Sequence, residues 1–147
     1  MITYEIIDTE NKDEATYSPD EIAGFLHEHL DQFGDELESI RKAIRYAFRE
    51  NGGQGGYVVV GHENGEILGV VVVNETGMAG YIPENILVYI AVRGDQRGRG
   101  LGKDLMKTAI DRAEGGIALH VEPDNPARHL YEKLGFTNKY LEMRYNK

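Results

Sequence analysis

The sequence predicts an α/β (α+β) fold in which a mixed, mostly antiparallel sheet of six to seven strands is flanked by four helices. Three observations support this prediction. Residues 86–92 form an apolar run rich in β-branched side chains, which is typical of a buried strand. A glycine-rich turn over 97–102 follows, and residues 101–113 then carry apolar side chains at helical spacing. Upstream, an Asn-Gly pair at 64–65 between two β-rich runs predicts an antiparallel hairpin.

The composition is that of one domain spanning residues 1–147, with 41% apolar and 28% charged residues. No apolar run is long enough to span a membrane, and the chain begins with strand-like alternation in place of a signal peptide. Cysteine is absent, which excludes disulfides, a thiol nucleophile and thiolate metal ligands. We therefore expect a cytoplasmic protein with no membrane partner and no metal.

The net charge of −9 argues against a nucleic acid partner, because neutralising phosphates requires a basic face. The excess of acidic residues mildly favours a cationic substrate. It is also a common route to solubility, so the charge alone does not define a ligand.

Local signals place the elements in order along the chain. Ser18, Pro19 and Glu21 form a capping box with a proline in the first helical turn. Asn125 and Pro126 open the last helix in a similar way. The predicted elements are a strand over 3–7, helices over 19–33 and 35–50, strands over 57–62, 67–73 and 86–92, a helix over 101–113, a strand over 117–121, a helix from 126 to about 133 and a strand over 140–145. The strands at 86–92 and 117–121 are expected to be parallel neighbours, because the helix between them makes a right-handed crossover.

The glycine-rich turn has the properties of an anion site. The first amides of a helix have no partner inside it, and the helix dipole places partial positive charge there. Gly98, Gly100 and Gly102 allow a phosphate to approach the backbone without meeting a Cβ. Residues 92–103 also contain four basic residues and one acid, a reversal of sign in an acidic chain.

Two common phosphate loops do not fit this turn. A P-loop requires Ser or Thr after Gly-Lys, whereas Asp104 follows Gly102 and Lys103, and the position five before Gly102 is Arg97. A dinucleotide fingerprint requires its third glycine one residue later. A basic surface turn without a ligand remains the alternative.

The pattern that is left, Arg97-x-x-Gly100-x-Gly102, resembles the acyl-coenzyme A pyrophosphate loop of the GNAT superfamily of N-acetyltransferases. The segment 125–136, Asn-Pro-Ala-Arg-His-Leu-Tyr-Glu-Lys-Leu-Gly-Phe, resembles the second signature of that family. The order of predicted elements matches the family over nearly the whole chain. The resemblance implies a GNAT-type sheet in which the parallel central pair splays apart.

The resemblance also implies where acetyl-coenzyme A would bind. Its pyrophosphate would contact the turn, its pantetheine arm the strand at 86–92, and its remainder the last helix. The residues implied are Ile90, Ala91, Val92, Arg97, Gly98, Arg99, Gly100, Leu101, Gly102, Lys103, Asn125 and Tyr131. Asn125 lies six residues before Tyr131 where many members show seven, and a spacing of seven selects Asp124.

The implied activity is transfer of an acetyl group to a primary amine of a small molecule or peptide. An N–H near Val92 would stabilise the oxyanion, and the Tyr131 hydroxyl would protonate the leaving thiolate. Glu84 is a candidate base because it has the same strand parity as Ile86, Val88, Ile90 and Val92, although the family position is that of Ile86. His120 and Glu122 are further candidates for the base. A non-catalytic acyl-coenzyme A sensor or regulatory module of the same fold is the alternative function.

The acceptor site is expected between the first two helices, the loop over 74–85 and the chain after Gly135. Several acids lie near the turn between the first two helices and could attract a cation, although a solvated face explains them equally well; these are Asp31, Asp35, Glu36 and Glu38. Only eleven residues follow Phe136. The sheet therefore closes with one long strand or borrows a strand from a second copy in a homodimer.

Overall fold

The computed structural model describes residues 1–147 as a five-stranded mixed sheet with helices on both faces. The elements are β1 (Thr3–Asp8), α1 (Pro19–His29), α2 (Leu37–Ala47), β2 (Gly56–Glu63), β3 (Glu66–Glu75), β4 (Asn85–Val92), α3 (Leu101–Arg112), β5 (Ile117–Leu119) and α4 (Ala127–Lys133). The strands follow one another in sequence order across the sheet. Strands β1 to β4 are antiparallel neighbours, and β5 is parallel to β4, as the sequence predicts. None of the helices has the length and apolar composition that crossing a bilayer requires.

Local signals set the hairpin and the first helix. Asn64 and Gly65 have φ angles of 54° and 76°, the left-handed conformation that a two-residue hairpin turn needs. The Ser18 side chain accepts from the Glu21 amide, and the Glu21 carboxylate accepts from the Ser18 amide. Both helices of the first pair are shorter than predicted. Helix α1 ends before Asp31, whose φ of 54° is incompatible with a continuing right-handed helix.

Alternation along the central strands creates two hydrophobic cores. Val58, Val60, Val70 and Val72 face α1 and α2 on one side of the sheet. Val59, Val71 and Val73 face α3 and α4 on the other. These side chains are fully buried. The sheet is therefore a rigid layer that holds the two helix pairs on opposite faces.

A β-bulge interrupts β4 at Val88. Val72 of β3 pairs with Tyr89, but the next residue, Val73, pairs with Leu87, so that Val88 is left without a partner. The bulge shifts the alternation of β4: Leu87 and Ile90 pack in the core of α3 and α4, whereas Val88 and Tyr89 both pack in the core of α1 and α2. Two residues on either side of Val88 that are an even number of positions apart, such as Leu87 and Tyr89, therefore face opposite sides of the sheet.

The prediction of six to seven strands is wrong, because the chain after α4 adds no strand. Residues 137–147 have no regular secondary structure, so the strand expected over 140–145 is absent. Tyr140, Leu141, Met143 and Tyr145 are each at least 78% exposed. The neighbouring edge strand β5 has only three residues, Ile117–Leu119, two fewer than predicted. Such a short edge offers few hydrogen-bonding groups to a further strand.

A buried hydrogen bond ties α3 to the sheet and gives a test of the fold. The Tyr57 hydroxyl donates to the Ala109 carbonyl at 2.6 Å in the core. We expect Tyr57→Phe to lower the free energy of unfolding by about 1 kcal/mol, the usual net value of one such bond. Urea denaturation measures this loss. The control is Tyr46→Phe, which removes an exposed bond to the Glu75 carbonyl and is expected to cost less; an equal cost in the two variants would contradict the assignment.

Candidate active site

The N-terminus of α3 presents a row of unpaired backbone donors. None of the six N–H groups from Gly98 to Lys103 has a hydrogen-bond partner within the chain, and the first helical bond is donated by Asp104 to the Gly100 carbonyl. Gly98 and Gly100 have φ angles of 85° and 79°, which side-chain-bearing residues rarely adopt. A Cβ at either position would have no neighbouring atom within 4 Å. The donors therefore line an open surface that a group with several acceptor oxygens can approach.

The first turn of α3 meets two other predicted parts of the site. A Cβ placed on Gly102 would lie 3.5 Å from the Leu130 side chain and 3.7 Å from that of Val92. Leu130 belongs to α4 and Val92 ends β4. The structure thus brings the glycine turn, the end of β4 and the helix that carries Tyr131 together at one place.

The parallel pair separates beside this place. β4 pairs with β5 only from Asn85 to Leu87, and the remaining residues of β4 have no paired strand on that edge. We call the space beside β4 beyond Leu87 the gap. The Arg93 amide donates to the Leu68 carbonyl of β3 at 2.9 Å. Because residues of an antiparallel strand alternate in direction, Ala91 turns its backbone groups toward β3, whereas Ile90 and Val92 turn theirs toward the gap. The gap therefore offers the backbone groups of Ile90 and Val92, but not those of Ala91.

The four basic side chains around the turn are not equivalent. Arg93 contacts Glu66 at 2.8 Å and Asp95 at 2.7 Å, so acids on the same surface neutralise its charge. Arg97 reaches Asp31 at 3.3 Å, on the connection between α1 and α2. Arg99 and Lys103 form no salt bridge. These two are the cations that remain available to an anionic ligand.

Tyr131 lies on α4 and packs in the same core as Ile90 and Val92 of β4. Its residue surface is 6% exposed, and its ring packs 6.0 Å from that of Phe136. The hydroxyl makes no hydrogen bond within the chain. Burial alone raises the pKa of Tyr131 to about 12. The phenol therefore keeps its proton at neutral pH and is free to donate it to a bound group.

The other candidates at the end of β5 have smaller roles in the structure. The Asn125 side-chain oxygen accepts from the Ala127 amide at 2.9 Å, but α4 begins one residue later than predicted, so that Pro126 and not Asn125 is its N-cap. The Asn125 side-chain amide makes no bond within the chain. Asp124, His120 and Glu122 are exposed on the segment between β5 and α4.

Glu84 lies at the opposite end of β4 from the glycine turn. Its carboxylate accepts from the Gly116 amide at 2.9 Å, and this contact, followed by its own amide, lowers the pKa of the carboxyl. Asn85 reinforces the join by donating to the Glu114 and Gly116 carbonyls. The prediction that Glu84 faces the same side of the sheet as Val92 is wrong, because the bulge at Val88 lies between them and shifts the alternation of β4. The geometry gives Glu84 a role in holding β5 to β4.

Glu84→Gln tests this structural role. The amide oxygen of Gln can still accept from Gly116, so we expect turnover to change by less than about threefold, whereas loss of a general base commonly costs about 100-fold or more. Steady-state kinetics on a responsive amine, with the midpoint of urea unfolding as the control for folding, makes the distinction. A 100-fold loss of turnover in a stable variant would restore Glu84 as the base.

One contact at the gap was missed by the sequence reasoning. The Tyr89 hydroxyl donates to Asp35 Oδ2 at 2.5 Å, which joins the open part of β4 to the connection between α1 and α2. The two residues are 54 positions apart, so no local pattern indicates the contact. The acidic character of residues 31–38 was the one signal in the sequence.

Known proteins are similar to this chain in sequence and in fold. The profile of the acetyltransferase (GNAT) family matches residues 17–136. The 5-NmdU N-acetyltransferase of Pseudomonas phage PaMx11 is 34% identical over 84 residues, which are 56% of this chain and 58% of that protein. The chain thus matches little more than half the length of this relative.

Two solved structures illustrate the shared fold. A putative acetyl transferase from Pyrococcus furiosus is 26% identical, with a TM-score of 0.62 over 99% of this chain and 100% of the other. An aminoglycoside N-acetyltransferase in complex with CoA has a TM-score of 0.66 at 14% identity, over 100% and 95% of the two chains, and supports the fold alone. The family match begins just before α1 and ends just after α4, so it includes the glycine turn, the gap and Tyr131. The chain therefore belongs to the acetyltransferase (GNAT) family.

Proposed function

We propose that this protein transfers an acetyl group from acetyl-coenzyme A to a primary amine of a small molecule or peptide. The observation that carries the proposal is the row of six unpaired amides from Gly98 to Lys103, placed beside the open edge of β4. Membership of the family supports acetyl transfer. The name of the phage relative supports nitrogen as the receiving atom.

The residues present fit the cofactor. A pyrophosphate needs several donors at close range, and the turn supplies amides without an obstructing Cβ at Gly98 and Gly100. Arg99 and Lys103, which form no salt bridge, add positive charge at the turn. The backbone groups of Ile90 and Val92 face the gap, where an amide-bearing pantetheine arm would hydrogen-bond to them as a neighbouring strand does.

When bound, acetyl-coenzyme A supplies the acetyl group as an activated thioester. The chain's part is to hold the reacting groups in place and to stabilise charge. An outward-facing N–H at the end of β4 would donate to the carbonyl oxygen as negative charge develops there. The acceptor must be a neutral amine when it attacks, because an alkylammonium has no free electron pair.

Tyr131 would act on the leaving sulfur. With its pKa raised to about 12 by burial, the phenol is a weaker acid than a thiol, whose ordinary pKa is about 8.5. It therefore stabilises a developing thiolate by donating a hydrogen bond, and a complete transfer of the proton requires that the pKa of the sulfur also rise in the site. Either way, its contribution depends on the hydroxyl.

Release of free thiol from acetyl-coenzyme A tests the proposed function. The acceptors are polyamines, aminoglycosides, amino acids and lysine peptides, and we expect at least one amine to give release above the rate in buffer. Mass spectrometry of the product should show a mass increase of one acetyl group. Tight binding of coenzyme A without turnover on any amine would contradict the proposal and favour the non-catalytic sensor.

We further propose a homodimer, which the sequence offers as one of two ways to complete the sheet. The exposed side chains of Tyr140, Leu141, Met143 and Tyr145 are the surface that a second copy would cover.

A further inference from the structure

The connection between α1 and α2, residues 30–36, lies along one side of the gap. At one end, Asp31 contacts Arg97 of the glycine turn, and the Arg97 guanidinium also reaches the His29 carbonyl at 3.5 Å. At the other end, Asp35 is bonded to Tyr89. The connection therefore runs from the place proposed for the pyrophosphate to the open part of β4.

Tyr89 places this contact at the separation of the two strands. It is the second residue after the last one of β4 that pairs with β5, and it directly follows the bulge at Val88. The ring packs in the core of α1 and α2, whereas Tyr131 packs in the core on the other face. A thioester held in the gap would thus have Tyr131 on one side of the sheet and the Tyr89–Asp35 pair on the other.

Three of the four acids near this connection differ in what they contact, and the fourth, Glu36, makes no side-chain cap hydrogen bond. Asp31 pairs with Arg97, and Glu38 pairs with Arg41 at 3.0 Å. Asp35 forms no salt bridge, and its single hydrogen bond uses Oδ2. Its Oδ1 atom remains available to a donor. Asp35 is therefore the acid that combines a fixed position at the gap with a free oxygen.

The C-terminal segment also passes this place. Arg144 is near enough to Asp35 for the charge of Asp35 to contribute to the raised pKa of the guanidinium, but its first partner is Glu142. Arg144 and Glu142 together are neutral. Arg144 is therefore paired with Glu142 and forms no salt bridge with Asp35.

We propose that Asp35, held by Tyr89, binds an ammonium group of a polyamine acceptor whose reacting amine is a different, neutral one, and so selects polyamines as substrates. This inference rests on the proposed function, since it places the acceptor on the opposite side of the gap from Tyr131. Tyr89 is a positioning residue: its hydroxyl fixes one oxygen of the carboxylate and leaves the other without a partner in the chain. A carboxylate that is already held loses less side-chain entropy when it binds an ammonium group.

The first test measures spermidine binding by calorimetry on the protein loaded with coenzyme A. We expect Asp35→Asn to weaken binding by about 10- to 100-fold, the range for a hydrogen bond to a charged group. Glu36→Gln is the matched control, because it removes the same charge one residue away and should change affinity by less than about threefold. Tyr89→Phe should give an intermediate loss, and all three variants should bind coenzyme A as the wild type does.

The second test compares acceptors in the thiol-release assay. Asp35→Asn should raise KM for spermidine and leave KM for acetyl-coenzyme A unchanged, and it should have little effect on 4-methoxyaniline, an arylamine that is uncharged at neutral pH. Equal losses on the charged and the neutral amine, equal losses in the Asp35 and Glu36 variants, or no spermidine binding by the wild type would overturn the assignment. Asp35-dependent spermidine binding without any thiol release would support the assignment and refute the proposed function.

Discussion

Gly100→Asp is expected to abolish coenzyme A binding without unfolding the protein. The new carboxylate would stand among the amides of the α3 N-terminus, where we expect the pyrophosphate to bind. Repulsion between a carboxylate and a pyrophosphate in direct contact is worth about 3 kcal/mol or more even in a partly solvated site. We therefore expect the affinity for coenzyme A to fall by about 100-fold or more. Isothermal titration with coenzyme A measures the loss.

The matched control is Gly100→Asn, which has nearly the same shape without the charge. Both side chains tolerate positive φ better than others, and a Cβ at this position meets no atom within 4 Å. The two variants should therefore unfold at similar urea concentrations. If Gly100→Asp bound coenzyme A as tightly as the wild type does, the glycine turn would not be part of the cofactor site.

Tyr131→Phe is expected to lower kcat by about 100-fold, within the usual range for loss of a positioned acid. The hydroxyl has no partner within the chain and the ring is kept, so stability and coenzyme A affinity should stay close to those of the wild type. Steady-state kinetics and calorimetry separate the two effects. Tyr57→Phe is the control, because it removes a buried hydroxyl in the same core and should change stability rather than rate.

The pH dependence of the wild type gives a further check on Tyr131. Burial raises its pKa to about 12, so the hydroxyl remains protonated while an alkylamine acceptor loses its proton near pH 10. Activity should therefore rise with pH through the neutral range and should not fall before pH 10 through loss of the Tyr131 proton. Equal rates for the wild type and Tyr131→Phe at every pH would exclude the residue from the mechanism.

The parts of the site that depend on neighbouring residues were predictable from the sequence. The glycine turn, the helix that begins at Leu101 and the hairpin at Asn64 and Gly65 are fixed by local backbone preferences. The parallel pairing of β4 with β5 follows from the length and handedness of the crossover. These features explain why the family could be recognised before the fold was known.

The bulge at Val88 was not predictable, because it depends on how β4 meets β3 rather than on either strand alone. Because of this bulge, Glu84 does not face the same side of the sheet as Val92. The backbone groups of Ala91 point toward β3, so they do not face the gap. The acidic neighbours of Arg93 likewise come from β3 and from an adjacent turn. A count of charges along the chain could not show that this arginine is already neutralised.

Neither the absence of the last strand nor the Tyr89–Asp35 contact could be predicted from the sequence, because both depend on parts of the chain that are distant in sequence. Alternating apolar residues at 140–145 resemble a strand, but a strand forms only where an edge is available to pair with it, and β5 is too short to provide one. The contact between Tyr89 and Asp35 joins residues far apart in sequence, and only the packing of α1 and α2 on the sheet brings them together.

A crystal structure of the protein with coenzyme A tests the cofactor site. We expect the pyrophosphate within hydrogen-bond distance of the amides between Gly98 and Lys103, and the pantetheine arm beside the outward-facing groups of Ile90 and Val92. A nucleotide bound elsewhere on the protein, with these amides turned away or covered by the chain, would contradict it.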